Sequence, residues 1–267
     1  MGRRLGQHFL SDEKVLRQIA DLLEINSSDV VVEIGPGHGE LTKEFRIQNL
    51  ECRVIAIEKD EKLVQFLQQK FASDKNTEII HGDALETLPL LIRNLKLEIR
   101  NSNYKVVGNI PYYITGYLLR ILGELEHKPE LIVLTVQKEV AERICVNPPK
   151  MNLLAASVQF WATPTIAGVV NRKAFNPPPE VDSAIIKLVP KTVDKKAVKR
   201  YYELIKIIFK QPRKTILNNL SAGLEIPKEE AVKRLTEQGI KPDMRPQNLS
   251  VEDLLNLSVD NVFHAKK

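Results

Sequence analysis

Two cysteines in 267 residues, Cys52 and Cys145, are too few for a disulfide framework, and both sit in apolar stretches that suit a reducing compartment. Long apolar runs are missing too. None approaches the roughly 18 residues that a membrane helix needs. The opening GRRLGQHFLSD has basic residues but no signal-peptide core. These absences predict a cytoplasmic protein with no membrane partner. The five histidines (His8, His38, His81, His127, His264) are scattered, and none pairs with another His or Cys at a ligand spacing. No metal site is expected, and nothing in the sequence demands a dimer, so a monomer is expected. Glycine is scarce, yet three of the 12 fall at Gly35, Gly37 and Gly39.

Hydrophobic residues make up 43% and charged residues 27%, ordinary values for a globular chain. The net charge of +5 is unevenly spread. Residues 190–267 hold 16 Lys+Arg against 10 Asp+Glu, and the remainder holds 23 against 24. The C-terminal third therefore suits a polyanion, although a charged helix surface is as often merely solvated.

From Val30 onward short apolar runs alternate with amphipathic stretches. The runs VVVEIG, RVIAIE, TEIIHGD, YKVVGN and ELIVLTVQ read as strands covered on both faces. Between them, stretches such as DEKLVQFLQQKF and TGYLLRILGEL read as helices. This alternation predicts a parallel sheet of βαβ units. TPTIAGVV and DSAIIKLVP read as further strands, with a hairpin as one way of closing the sheet. After Pro190 only helical periodicity remains. The expected division is residues 1–190, an α/β domain, and residues 191–267, a small all-α domain.

VVVEIGPGHGELT is a strand, a glycine turn and a helix start. Glycines allow a tight turn and close approach of a ligand to the backbone. The third glycine of a dinucleotide fingerprint is replaced here by Glu40, which opposes a pyrophosphate. Glu33 adds negative charge, so a cofactor without phosphate, and preferably cationic, is expected. Glu58 ends the next strand, where an acid takes ribose hydroxyls. Asp83, followed by small Ala84, ends the third and can accept from the amine of adenine. Each acid alone also reads as a solvated strand-end charge. In this order they match S-adenosyl-L-methionine binding on a class I methyltransferase fold, through Gly35, Gly37, Glu58, Asp83 and Ala84.

The next strand ends in Asn109-Ile110-Pro111-Tyr112. The lone pair of an adenine amine is delocalised into its ring. The Asn109 side-chain carbonyl and the Ile110 backbone carbonyl can each accept an amine hydrogen, which favours a pyramidal nitrogen. Pro111 fixes the backbone, and Tyr112 can stack on a flipped base. A plain turn with Asn109 capping the following helix is the alternative.

With these motifs in order, the chain resembles the KsgA-type small-subunit rRNA adenine dimethyltransferases over nearly its whole length. The matching stretches are GQHFLSD, EIGPGHG, IEKD, GDAL, NIPY, KAFNPPPEVDSAIIKLVP, IIFKQPRKTILNNL and RPQNLSVEDLLNL. The resemblance implies a Rossmann-like class I methyltransferase domain with a mostly parallel seven-stranded sheet, followed by a helical domain that binds rRNA. It implies cofactor contacts from His8, Leu10 and Asn109, and a Phe175 that stacks on the target adenine opposite Tyr112. Read by itself, Phe175 is more often a core aromatic. The implied partner is 16S rRNA within an immature small subunit, dimethylated at two adjacent adenosines near its 3′ end. CVNPPKMNLLAASVQFW departs from the family's pattern, so RNA contacts there do not carry over.

For the rRNA grip the sequence offers Arg213 and Lys214, expected to open a helix after Pro212, with Lys206 and Lys210 on the helix before it. Arg3 and Arg4 are further candidates. Three competing readings stand beside the first: a 23S rRNA adenine methyltransferase of the antibiotic-resistance type, a non-catalytic ribosome-assembly or transcription factor, and a nicotinamide-dependent dehydrogenase. FNPPPEVDSA and RKTILNNL weigh against the resistance type, the intact Asn109-Pro111-Tyr112 set against lost catalysis, and Glu40 against the dehydrogenase.

Overall fold

The computed structural model describes residues 8–48, 51–98 and 104–259. Its central feature is a sheet built from β2 (Val30–Ile34), β3 (Arg53–Glu58), β4 (Thr77–His81), β5 (Tyr104–Asn109), β6 (Leu131–Gln137), β7 (Ala162–Val170) and β9 (Ser183–Pro190). Among the described residues these seven strands run in the order β4-β3-β2-β5-β6-β9-β7. The pairs from β4 through β6 are parallel, and β9 lies antiparallel to β6. The apolar runs explain this: every residue of β2 is buried, as are the first five of β5 and the first six of β6. β4 is an edge strand and is only half-covered.

The chain leaves β2 toward β3 and β4, then returns to β5 on the other side of β2. That reversal is a topological switch point, and ligands sit in the crevice beyond the C-terminal ends of such strands. Helices α1 (Glu13–Leu22), α2 (Glu40–Ile47), α3 (Glu61–Lys70), α4 (Ala84–Glu98), α5 (Thr115–Glu124) and α6 (Lys138–Ile144) follow or connect the strands. Two starts are fixed by aspartates: Asp12 accepts from the amides of Lys14 and Val15, and Asp60 from those of Lys62 and Leu63. Such caps satisfy amides that have no partner inside the helix.

A separate ribbon joins β1 (Phe9–Leu10) to β8 (Phe175–Asn176), antiparallel, with Leu10 opposite Phe175 and Phe9 opposite Asn176. Sequence periodicity gave no sign of it, because two residues are too short to show a period of two.

The chain divides into two compact units. One holds the described residues up to Ala141 together with Pro164–Pro190; the other holds Glu142–Thr163 and the residues from Lys191 on. A single cut at Pro190 does not describe this. The segment from Glu142 to Thr163, which includes α7 (Leu153–Gln159), groups with the C-terminal helices α8 (Lys195–Ile208), α9 (Ile216–Leu224), α10 (Lys228–Glu237) and α11 (Val251–Val259). Aromatic packing is the reason. The rings of Phe160 and Tyr201 stack at 4.1 Å, the Tyr201 hydroxyl donates to the Ala156 carbonyl at 2.9 Å, and Tyr202 donates to Ser157 at 3.2 Å.

Arg213 and Lys214 do not open a helix. They lie in an exposed turn, and α9 begins at Ile216, capped by Thr215, whose hydroxyl accepts from the Asn218 amide. Lys210 lies just past the end of α8 and is also exposed. Arg3 and Arg4, like Gly6 and Gln7 of the opening motif, lie outside the described residues.

Candidate active site

Two adjoining hollows open at the C-terminal ends of β2, β3 and β5, and Gly35, Glu58 and Pro111 line both. The first, about 560 Å³, is lined by His8, Phe9, Gly37, Asn109, Ile110, Tyr112 and Phe175 besides the shared residues. The second, about 550 Å³, is lined by Ile34, Ile57, Lys59, Gly82, Asp83, Ala84, Tyr113 and Ile114. All of these residues belong to the first unit.

The glycine turn is built as its sequence predicts. Gly37 has φ +61°, where L side chains are disfavoured, and a Cβ there would stand 2.7 Å from the Phe9 ring. Its amide donates to Glu58 Oε2 at 3.2 Å. Glu58 Oε1 accepts from the amides of Lys59 and Asp60 at 2.8 and 2.9 Å. The Glu58 side chain is thus held by three backbone donors at a buried strand end. A carboxylate has about four acceptor sites, so capacity remains on Oε2 for a ligand hydroxyl.

Asp83 lines the second hollow. Its Oδ1 accepts from the Leu85 amide at 2.9 Å and its Oδ2 from Lys59 Nζ at 2.7 Å. The Lys59 hydrogen bond holds the Asp83 carboxyl below the usual carboxylate range, against partial burial, which works the other way. Sequence reasoning did not single out Lys59, although its place directly after Glu58 was a usable signal.

Glu33 lines neither hollow. It is buried, and it accepts a short hydrogen bond from the Thr42 hydroxyl. Burial pushes its carboxyl up to about 7, so it is not the fixed negative charge the sequence suggested.

In the first hollow, Asn109 Nδ2 donates to the backbone carbonyl of His8 at 2.8 Å. The helix after it starts at Thr115 from Ile114 with no side-chain cap, so Asn109 does not serve as one. The Ile110 amide donates to the Thr135 carbonyl at 3.0 Å, which fixes the peptide plane between Asn109 and Ile110. Tyr112 opens a short 3-10 turn, Tyr112–Ile114, with its hydroxyl 3.4 Å from Ser183 Oγ and its ring 6.3 Å from that of His8. Phe175 is only 4% exposed and belongs to a core cluster with Leu10, Val170 and Ile185, yet it also lines the hollow. Leu10, expected at the cofactor, lies in that cluster and lines neither hollow. Its neighbour Phe9 takes the lining position, packed edge-on to His38 at 4.4 Å between ring centroids.

Among the described residues no helix is long and apolar enough to cross a membrane, and no group of His, Cys, Asp or Glu side chains could hold a metal ion.

Residues 2–260 match the family model described as ribosomal RNA adenine dimethylase. Ribosomal RNA small subunit methyltransferase A of Dehalococcoides mccartyi is 42% identical over 252 residues, which span 93% of this chain and 84% of that protein. The protein of the same name from Mycoplasma mycoides is 36% identical over 260 residues, 94% of each chain. The crystal structure of a dimethyladenosine transferase from Plasmodium falciparum is similar at a TM-score of 0.76 and 28% identity, covering 93% of this chain and 95% of that one. That of the 23S rRNA methyltransferase ErmE is similar at a TM-score of 0.72 and 25% identity, covering 94% and 98%. The sheet is that of class I methyltransferases, and the chain belongs to the ribosomal RNA adenine dimethylase family.

Proposed function

We propose that this chain transfers methyl groups from S-adenosyl-L-methionine to the N6 amines of two adjacent adenosines near the 3′ end of 16S rRNA, in an immature small subunit in the cytoplasm. The observation that carries this is the amide of Asn109 and the Ile110-Pro111-Tyr112 turn opening on the same cleft as Gly35 and Glu58. The names of the curated relatives support the small-subunit substrate.

The cleft fits the cofactor on its donor set: a buried carboxylate with spare acceptor capacity, a glycine turn, and no lining phosphate-binding cation beyond Lys59, which is paired. When bound, the cofactor supplies a methyl group already activated on a sulfonium. Glu58 holds the ribose hydroxyls. Asp83 accepts from the adenine amine while Lys59 keeps it ionised, and Ala84 leaves room for the ring. Gly35, Gly37 and His8 border the remainder. Asn109 Oδ1 and the Ile110 carbonyl accept the two hydrogens of the target amine, so that its lone pair faces the methyl. Tyr112 and Phe175 hold the flipped base between them. With the leaving group already activated, positioning supplies most of the acceleration. Lys210, Arg213 and Lys214 grip rRNA phosphates, setting register rather than reading sequence.

The test is labelled methyl transfer to purified, unmethylated small subunits with nuclease mapping of the product. Label on two adjacent adenosines in small-subunit rRNA is expected. No label there, with label on an adenosine of large-subunit rRNA in a parallel reaction, would assign the chain to the resistance type instead.

A further inference from the structure

The residues His8–Ser11 meet the first hollow at three points: the glycine turn, Asn109 and the strand bearing Phe175. Leu10 and Phe9 pair with Phe175 and Asn176. The Ser11 amide donates to the Ala174 carbonyl at 2.9 Å, and His8 Nδ1 donates to the Pro177 carbonyl at 2.8 Å. The Phe9 ring lies against Gly37 of the glycine turn and against His38. The His8 carbonyl accepts from Asn109 Nδ2. One short strap therefore joins the glycine turn, the amide and the strand bearing Phe175, although its ribbon has only two residues on each side.

The bond to Asn109 has a chemical direction. A carboxamide carries one acceptor oxygen and a donor nitrogen, and either can be turned toward a ligand. An adenine amine presents two hydrogens. With Nδ2 facing the amine, donor would meet donor and the lone pair would gain nothing. A backbone carbonyl can only accept, so the His8 oxygen requires Nδ2 on its own side and leaves Oδ1 as the free face of the amide.

We infer that the His8 carbonyl is the positioning group for methyl transfer: by latching Asn109 Nδ2, the strap fixes Oδ1 as the acceptor for the target amine, and the reaction proceeds only with the strap seated. This rests on the reading of Asn109 given above, and it adds a dependence of the amine-orienting group on a segment that also packs on the glycine turn. A cofactor that steadies the glycine turn thereby steadies the acceptor for the substrate.

Asn109→Asp separates the two ideas. Aspartate keeps the shape and an acceptor for the amine but loses the donor, and its carboxylate repels the His8 carbonyl. We expect faster backbone hydrogen exchange at Phe9–Ser11 and a fall of about 10²-fold in single-turnover methylation of small subunits at saturating cofactor, the scale for one lost preorganised group. Leu10 anchors the strap in the core without lining the cleft. Leu10→Ala is therefore expected to raise exchange at Phe9–Ser11 and lower the single-turnover rate, and volume-conserving Leu10→Met to restore both. An Asn109→Asp protein that methylates at the normal rate, or whose strap stays protected, overturns the latch and leaves the proposed function standing. A fully active Asn109→Ala protein overturns both the latch and the amine-orienting role of Asn109.

Discussion

At the scale of single residues, the cleft is made of side chains already committed to one partner and facing the open space with what remains. Glu58 is the clearest case. Three amides hold it, and it keeps unused acceptor capacity where it lines both hollows. Glu58→Ala is expected to weaken S-adenosyl-L-methionine by about 1.5–3 kcal/mol, the scale of hydrogen bonds to charged groups, as read by calorimetry. Unchanged affinity would remove Glu58 from the site. Phe175 carries two duties, core and cleft. Phe175→Ala is expected to cost about 3–5 kcal/mol of stability, so its lost activity would say little. Phe175→Leu keeps much of the core volume and removes the stacking face, and it is expected to fold with a thermal midpoint near normal but methylate poorly. Normal methylation by Phe175→Leu would make it a core residue alone. Glu58 stood out in the sequence because it closes an apolar run directly, whereas Phe175, after the polar Asn171-Arg172-Lys173, was singled out only by the family resemblance. Phe9 was not legible, because a phenylalanine beside a motif looks the same whether it faces a cleft or the core.

At the scale of elements, β2 brings Glu33 into the core beneath the turn it supports. With its carboxyl raised from 4.5 to about 7, the folded state holds a proton that the unfolded chain has lost across that interval. Stability contributed by this group is full below about pH 4.5, falls as pH rises toward 7, and stays low above it. The loss is on the order of 3 kcal/mol. Glu33→Gln, which keeps an acceptor for Thr42, is expected to flatten the dependence of Tm on pH over that interval; an unchanged slope would show that Glu33 ionises freely. The strands β2 to β6 were readable because burial on both faces leaves consecutive apolar residues. The β1–β8 ribbon was not, since its pairing joins segments separated by about the distance of His8 from Pro177, 169 positions. α9 starts three residues beyond Arg213, because the Thr215 hydroxyl, not Pro212, supplies its opening signal.

At the scale of the molecule, the positive excess and the cleft belong to different units. Residues 190–267 carry 16 basic against 10 acidic side chains, while every lining residue lies in the other unit. Arg213→Ala/Lys214→Ala is expected to lower the salt slope of subunit binding by about 1 for each phosphate contact removed, with cofactor affinity unchanged. An unchanged slope would make these two a solvated turn. The helical character of the C-terminal part was legible from its periodicity. The allegiance of Glu142–Thr163 was not, because it depends on Phe160 meeting Tyr201, a contact between distant positions that no local pattern announces. A last consequence follows from register. Ile34 of β2 lies opposite Gly108 of β5, so the glycine turn and Asn109 leave the sheet as next-door neighbours. Adjacent strands stand about 4.8 Å apart. On the proposed reading, the turn that borders the cofactor and the amide that orients the target are thus spaced by the ladder itself, a gauge set by the middle of the sheet rather than by the helices around it.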